Sequence, residues 1–198
     1  QVRQAFLQAI DPAQLNENLA LSTSLVAHSI LPPGMPGFSS DPLSPGFDPQ
    51  AARAALAASA YAGDLPEITI NAPGYGDSQR SDVAALAEMW KTNLGVEVQV
   101  KYLDPQDFTK AARENHDQMV LLGWCADYPD PENFLDVLFH SDSEVNVSEY
   151  SNPEVDALLE QARTELDPTK RLALYQSAEK LLLADFAVIP LLHNVSDV

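Results

Sequence analysis

An alternation of strand and helix patterns between residues 67 and 124 constrains the fold of this chain more than any other feature. Its order is a strand over Glu67–Asn71, a helix over Gln79–Asn93, a strand over Val96–Tyr102, a helix from Pro105 to about Asn115 and a strand over Met119–Trp124. Alternating apolar residues indicate the first two strands, and an unbroken apolar run indicates the third. Strands that alternate with helices are typical of a parallel sheet, so we predict an α/β fold with a mostly parallel sheet covered by helices.

Aspartate followed by proline predicts where several helices begin. Six of the fifteen prolines follow an aspartate directly, at Asp11, Asp41, Asp48, Asp104, Asp130 and Asp167. The aspartate accepts hydrogen bonds from free amides of the first turn, and proline suits the first helical position. Residues 31–48 are the exception, because five prolines and three glycines there predict an irregular surface connection.

A helical pair is expected toward the end of the chain. The patterns span Pro153–Glu165 and Pro168–Phe186, with Leu159 and Leu166 on the apolar face of the first helix. The apolar run Ala187–Leu192 then predicts a short buried strand.

The two ends of the sequence suggest an excised piece. A helical pattern starts at Val2 without a capping residue before it, and no closing element follows the last predicted strand. We therefore expect residues 1–198 to form a single lobe, truncated at both ends.

The charge and the composition of the chain exclude several kinds of partner and site. With 11 Lys and Arg against 29 Asp and Glu, the formal net charge is -18 at pH 7. Such a chain repels phosphate backbones and anionic lipids, so we expect no nucleic-acid partner and no membrane-surface binding. No apolar run approaches the roughly 20 residues of a membrane-spanning helix. The single cysteine excludes an internal disulfide and a multi-cysteine metal site.

Three patterns point to chemistry only weakly. Gly74 and Gly76 lie where a turn could cradle a phosphate, but Gln79 replaces the third glycine, which favours a plain turn. The four histidines lack metal-ligand spacing, so we expect no metal and no cofactor. Cys125 could act as a nucleophile with His116 as its base, but an apolar strand precedes it and favours a buried, unreactive thiol.

The stretch Gly123–Leu135 contains the strongest candidate site. Trp124 and Asp127 stand at the end of a predicted strand, and Asp130 caps the next helix. An aromatic face and a carboxylate then lie at the sheet edge where α/β folds bind ligands. The alternative, with Trp124 in the core and the aspartates serving a turn and a cap, fits the pattern equally well. A carboxylate-dependent hydrolase using Asp127 and Asp130 as acid and base is a further alternative.

A set of segments in a fixed order resembles one protein family. Besides the Trp124–Asp127 stretch, these segments are Val2–Phe6, Ala9–Asp11, Pro32–Gly34, Phe47–Pro49, Tyr150–Asp156 and Ile189–Leu191. Together they resemble the extracellular solute-binding proteins of family 5, the binding components of oligopeptide and dipeptide ABC transporters. In that family the segments belong to the second large lobe of a two-lobed clamshell. The resemblance implies a periplasmic-binding-protein-like lobe that works with the first lobe of the same protein.

The resemblance also implies a function without covalent chemistry. Such a protein captures short peptides outside the cytoplasmic membrane and delivers them to the membrane subunits of an ABC permease. It is expected to be a monomer, either periplasmic or anchored as a lipoprotein on the cell surface. A nickel chelate, haem or an oligosaccharide, which other members bind, is the first alternative ligand.

Three ligand-binding residues follow from the resemblance. Asp127 matches the family carboxylate that pairs with the free amino terminus of a ligand. Trp124 and Cys125 match the adjoining strand that contacts the peptide. Oligopeptide binders often carry a basic residue shortly before the tryptophan, but Met119–Gly123 is wholly apolar, so no anchor for the ligand carboxylate is assigned.

Overall fold

The chain forms two compact units, each assembled from separated segments. The computed structural model describes residues 1–18, 24–74, 80–114 and 118–194. Unit 1 comprises the described parts of Gln1–Ser24 and Pro45–Gly123, together with Asn194, and unit 2 comprises Leu25–Ser44 and Trp124–His193.

The described residues contain eight helices and five strands. In chain order these are α1 (Val2–Gln8), α2 (Pro12–Asn18), β1 (Ser24–Val26), α3 (Pro49–Ala57), β2 (Ile68–Pro73), α4 (Ser81–Leu94), β3 (Val98–Leu103), α5 (Pro105–Glu114), β4 (Met119–Val120), α6 (Glu132–Phe139), α7 (Pro153–Thr164), α8 (Pro168–Ala184) and β5 (Leu192–Asn194).

The parallel sheet predicted from the sequence is confirmed in unit 1. Its strand order is β3-β2-β4, and β2 pairs in parallel with both neighbours. Ile68 pairs with Val98, and Ile70 pairs with Val100 on one side and Met119 on the other. As the central strand, β2 is buried over its first five residues, whereas β3 alternates partly buried and exposed positions.

Helices of unit 1 pack on this sheet and on one another. Contacts join α5 to β2 and β3, and α4 to β3, α1, α2 and α3. The Trp90 ring lies 5.4 Å from that of Phe6, and its indole N–H donates to the Phe6 carbonyl at 3.0 Å. Gly95 ends α4 with a φ of 73°, a left-handed conformation that glycine adopts without strain.

Most of the predicted Asp-Pro caps are confirmed. The side chains of Asp48 and Asp167 each accept two backbone amides of the first helical turn, at 2.9 to 3.2 Å. Asp11 and Asp104 accept amides in the same way. No helix begins at Asp41, as expected for the irregular connection.

The core of unit 2 lies between α6, α7 and α8. Leu135, Leu159, Tyr175 and Leu182 are each fully buried there. Leu166 was expected on the apolar face of α7, but this was wrong. The helix ends at Thr164 and leaves Leu166 94% exposed in the connection to α8.

A buried glutamate holds the proline-rich connection against α8. Glu179 is fully buried, and its Oε1 accepts the backbone amides of Ile30 at 2.7 Å and Leu31 at 2.9 Å. Burial raises the pKa of this carboxyl, although the two amides act in the opposite direction. One turn earlier on α8, the side chain of Gln176 donates to the Gly37 carbonyl at 3.1 Å.

Two predicted strands are wrong in extent. The Met119–Trp124 strand stops at Val120, with one further bond from the Leu121 amide to the Asn71 carbonyl at 2.8 Å. Alternate residues of β2 face β4, so the next residue after Asn71 that could donate to β4 is Pro73. Proline has no amide hydrogen, and the pairing ends there.

The final strand is also shifted. It covers Leu192–Asn194 rather than Ala187–Leu192, and it pairs with the short strand β1, which the sequence patterns did not predict.

Candidate functional site

The candidate site is an irregular segment of unit 2 that leads into α6. Because the preceding strand ends early, Trp124, Cys125 and Asp127 lie in a chain without regular secondary structure. All three are exposed, with Trp124 at 38%. The expectation of a buried Cys125 is therefore wrong, since its thiol is exposed.

Trp124 is oriented by Asn133 on the first turn of α6. Its indole N–H donates to the Asn133 carbonyl oxygen at 2.8 Å and to the side-chain Oδ1 at 3.2 Å. Asn133 itself is only 3% exposed. The ring is partly exposed while its N–H is hydrogen-bonded, an arrangement suited to contact with a ligand.

Asp127 presents a carboxylate that the described residues do not engage. Its backbone amide donates to Asn133 Oδ1 at 3.2 Å, which ties it to the same side-chain oxygen as Trp124. Among the described residues, no hydrogen bond or ion pair reaches its exposed carboxylate. Such a group is available to a cation or an N–H donor from outside the segment.

Tyr128 adds a second exposed aromatic ring beside Asp127. Its hydroxyl donates to the Glu132 carboxylate, and this bond raises the pKa of the phenol. A hydrogen bond with the Asn133 side chain acts in the opposite direction. The ring is 46% exposed.

Asp130 has a different role from Asp127. Its two carboxylate oxygens receive hydrogen bonds from the Arg171 guanidinium at 2.7 and 2.9 Å, and Oδ1 also accepts the Glu132 amide at 3.0 Å. The Arg171 bonds hold the pKa of Asp130 below its usual value. A carboxylate so engaged stays ionised, which is opposite to what a general acid requires.

The sequence-based assignment of Asp130 as a helix cap is close to the observed geometry. Helix α6 begins at Glu132, one residue later than the Asp-Pro pattern indicates, and Asp130 accepts one amide of its first turn. The Arg171 partner was missed, because 41 residues separate the two in the sequence.

Arg171 is itself held in place within α8. Its guanidinium lies 4.9 Å from the centre of the Tyr175 ring and donates to the Tyr175 hydroxyl at 3.2 Å and to the Ala162 carbonyl at 3.1 Å. Burial raises the pKa of Tyr175 to about 12. Arg171, the cation bound to Asp130, is therefore itself held by contacts with α7 and α8.

The described residues add no support for the phosphate-binding turn, the cysteine nucleophile or the metal site considered from the sequence. A Cβ at Gly74 would lie 3.0 Å from the Cβ of Tyr102, so close packing in unit 1 accounts for that glycine. Gly76 and His116 lie outside the described residues. Over the described ranges, no three His, Cys, Asp or Glu side chains group as metal ligands. No helix found there is long and apolar enough to cross a bilayer.

Comparison with known proteins gives a family-level match. The model for bacterial extracellular solute-binding proteins, family 5 Middle, matches residues 1–146. The oligopeptide-binding protein OppA of Bacillus subtilis is 28% identical over 200 residues, which is 96% of this chain and 36% of that protein. The probable deoxycholate-binding periplasmic protein YgiS of Escherichia coli is 31% identical over 201 residues, or 98% of this chain and 37% of that protein.

Solved structures agree with the sequence matches. OppA of Burkholderia pseudomallei superposes with a TM-score of 0.86 at 26% identity, covering 98% of this chain and 39% of that one. The present chain thus spans little more than a third of the length of the relatives it matches.

Proposed function

The chain belongs to the bacterial extracellular solute-binding proteins of family 5, and from that membership we propose that it captures short peptides for an ABC importer. The family resemblance in the sequence is thereby confirmed. OppA of Bacillus subtilis, which aligns with 96% of the chain, is named as an oligopeptide-binding protein. This name supports peptide as the ligand class.

One observation carries the assignment of the site. The exposed Asp127 carboxylate has no partner among the described residues, and it stands beside an indole whose orientation is set by hydrogen bonds. A carboxylate binds an ammonium with a charge-assisted hydrogen bond worth about 1.5 to 3 kcal/mol. In this proposal Asp127 binds the free amino terminus of the peptide, and Trp124 and Cys125 contact its first residues.

The proposal extends to the rest of the protein. The chain would be one lobe of a longer binding protein, completed by a first lobe that closes over the ligand. Permease subunits in the cytoplasmic membrane would accept the peptide from a monomeric, extracytoplasmic carrier. This agrees with the names of the relatives and with the fraction of their length that the chain covers.

The proposed activity is binding without catalysis. Family membership supports this, and so does the difference between the two aspartates. The Asp130 carboxylate is bound by Arg171 and stays ionised, so it is unsuited to act as the acid partner of Asp127.

Calorimetric titration with the complete protein tests the proposal. Short peptides with a free amino terminus should bind to the wild type, and the same peptides acetylated at that end should bind at least ten-fold more weakly. Asp127→Asn should reduce affinity for the free peptide about ten-fold or more, which corresponds to about 1.4 kcal/mol.

Glu154→Gln provides the matched control, because it removes one exposed negative charge at the start of α7. It should leave affinity unchanged. Equal affinity of Asp127→Asn and wild type for the free peptide would contradict the assignment of Asp127.

A second ligand class has a specific observation in its favour. The deoxycholate-binding relative aligns with 98% of the chain at 31% identity, slightly above the oligopeptide binder. The exposed rings of Trp124 and Tyr128 could also contact a rigid apolar ligand. Native mass spectrometry of the molecule that co-purifies with the complete protein separates a peptide from a bile acid, a chelate, haem or a sugar.

A further inference from the structure

One side-chain oxygen connects the two principal residues of the candidate site. Asn133 Oδ1 accepts the indole N–H of Trp124 and the backbone amide of Asp127, both at 3.2 Å. The Asn133 carbonyl accepts the same indole N–H at 2.8 Å. An amide oxygen has two lone pairs, so Oδ1 can serve both donors at once.

The segment that Asn133 holds has little other support. Residues 121–126 form no helix or strand, and across the described residues no further hydrogen bond reaches positions 124–127. A chain of this kind samples many conformations unless tertiary contacts select one. The position of the Asp127 carboxylate therefore depends on Asn133.

Asn133 is itself held in position by Asp130 and Arg171. Its backbone amide donates to the Asp130 carbonyl at 3.1 Å, and the Asp130 carboxylate is bound by Arg171 on α8. The side chain is 3% exposed, so it has little freedom to leave its position. A continuous series of bonds runs from α8 through Asp130 and Asn133 to the exposed site.

We propose that Asn133 is the positioning residue of this site: its side-chain oxygen holds the backbone of Asp127 and, together with its own main-chain carbonyl, the indole of Trp124, in one binding-competent arrangement. This inference rests on the proposed function for its effect on affinity. It does not require Asn133 to touch the ligand. The cost of ordering residues 124–127 is met on folding rather than on binding, which raises affinity.

Three variants separate positioning from general stability. Asn133→Leu has nearly the same size but no acceptor, whereas Asn133→Asp keeps an acceptor of the same reach. Asn152→Ala is the control for a lost asparagine. Its side chain accepts the Glu154 amide at the start of α7 and donates to the Asp185 carboxylate at 2.9 Å, without a bond to residues 124–127.

The first measurement is the indole resonance of Trp124 by ¹⁵N NMR in the complete protein, assigned by comparison with Trp124→Phe. Asn133→Leu removes the Oδ1 bond and keeps the main-chain carbonyl bond at 2.8 Å, so it should shift this signal while leaving the indole N–H protected from exchange. Asn133→Asp and Asn152→Ala should leave it close to the wild-type position. An unchanged indole signal in Asn133→Leu would overturn the inference.

The second measurement is calorimetric titration with a peptide that has a free amino terminus. Asn133→Leu should lower affinity about ten-fold, while Asn133→Asp and Asn152→Ala stay within about three-fold of wild type. Wild-type affinity in Asn133→Leu, or an equal loss in the Leu and Asp variants, would overturn the positioning role even where Asp127→Asn confirms the peptide site. If no peptide binds the wild type, the proposed function fails, and the indole signal alone decides whether Asn133 holds Trp124.

Discussion

The Asp136 carboxylate accepts two hydrogen bonds from the Arg163 guanidinium, at 2.7 and 2.6 Å, yet the two side chains differ greatly in exposure. The Asp136 side chain is 4% exposed and that of Arg163 is 46% exposed. The pair joins α6 to α7 in unit 2. Its geometry is bidentate, which is the strongest form of a protein ion pair.

This difference in exposure predicts unequal costs for the two halves of the pair. Arg163→Ala leaves a buried carboxylate without its cation and should lower the free energy of unfolding by about 3 kcal/mol. Asp136→Ala leaves a half-exposed guanidinium that can turn to water and should cost only about 1 kcal/mol. Urea denaturation followed by circular dichroism measures both, and equal costs would contradict the explanation.

The Asp130–Arg171 pair should show measurable coupling. Asp130→Ala removes both a helix-capping acceptor and an ion pair, so we expect a cost of about 2 kcal/mol in unfolding free energy. In a protein that already carries Arg171→Met, the same Asp130→Ala change should cost about 1 kcal/mol less. A double-mutant cycle from thermal or urea melts gives the coupling energy, and strictly additive losses would show that the pair contributes nothing.

Glu179 should make unit 2 less stable as the pH rises. Because burial raises the pKa of this carboxyl in the folded state, the folded protein holds its proton more tightly than the unfolded chain does. The stability it contributes is complete below the unfolded pKa and is lost as the pH rises through the folded pKa. Glu179→Gln removes this titration and keeps an oxygen for the Ile30 and Leu31 amides.

The check is the free energy of unfolding measured from pH 4 to pH 8 for both proteins. The wild type should lose stability relative to Glu179→Gln as the pH rises. Glu154→Gln on the protein surface serves as a control for the change in charge. Parallel curves for wild type and Glu179→Gln would contradict the prediction.

Cys125 should react readily with thiol reagents in the native state. Its exposed side chain means that a bulky maleimide should label folded protein within about ten-fold of the rate for unfolded protein. A saturating peptide should slow labelling if the ligand covers this segment. Mass spectrometry over a time course measures both rates, and labelling only after denaturation would contradict the exposed position.

Local signals in the sequence predicted the features whose partners lie close together along the chain. The aspartates at positions 48 and 167 accept amides two and three residues away, so an Asp-Pro pair is enough to locate each helix start. The helix predicted over Gln79–Asn93 likewise ends within one residue of the observed end of α4 at Leu94. The parallel sheet was predicted although its paired strands are distant in sequence, as Ile70 and Met119 are, because each strand and each helix carries its own local pattern.

Features that depend on distant residues were missed or misplaced. The end of β4 is set by Pro73 on another strand, so the apolar run Met119–Trp124 was read as too long a strand and Cys125 as buried. The cation bound to Asp130 lies 41 residues away on α8. Asn133 carries no local pattern at all, because its role depends on a tertiary turn that brings residues 124 and 127 to it.

The bonds from Glu179 to Ile30 and Leu31 close loops of 149 and 148 residues. At roughly 5 to 20 residues per second, the glutamate is synthesised on the order of 10 s after the two amides it will bind. Until then the early segment has no partner for those amides, and the buried core of unit 2 cannot close around them. Contacts this remote also slow folding, because a long loop must form before any of them is gained. Unit 2 must therefore complete its folding after Glu179 has been synthesised, and its proline-rich connection lacks this buried acceptor until that moment.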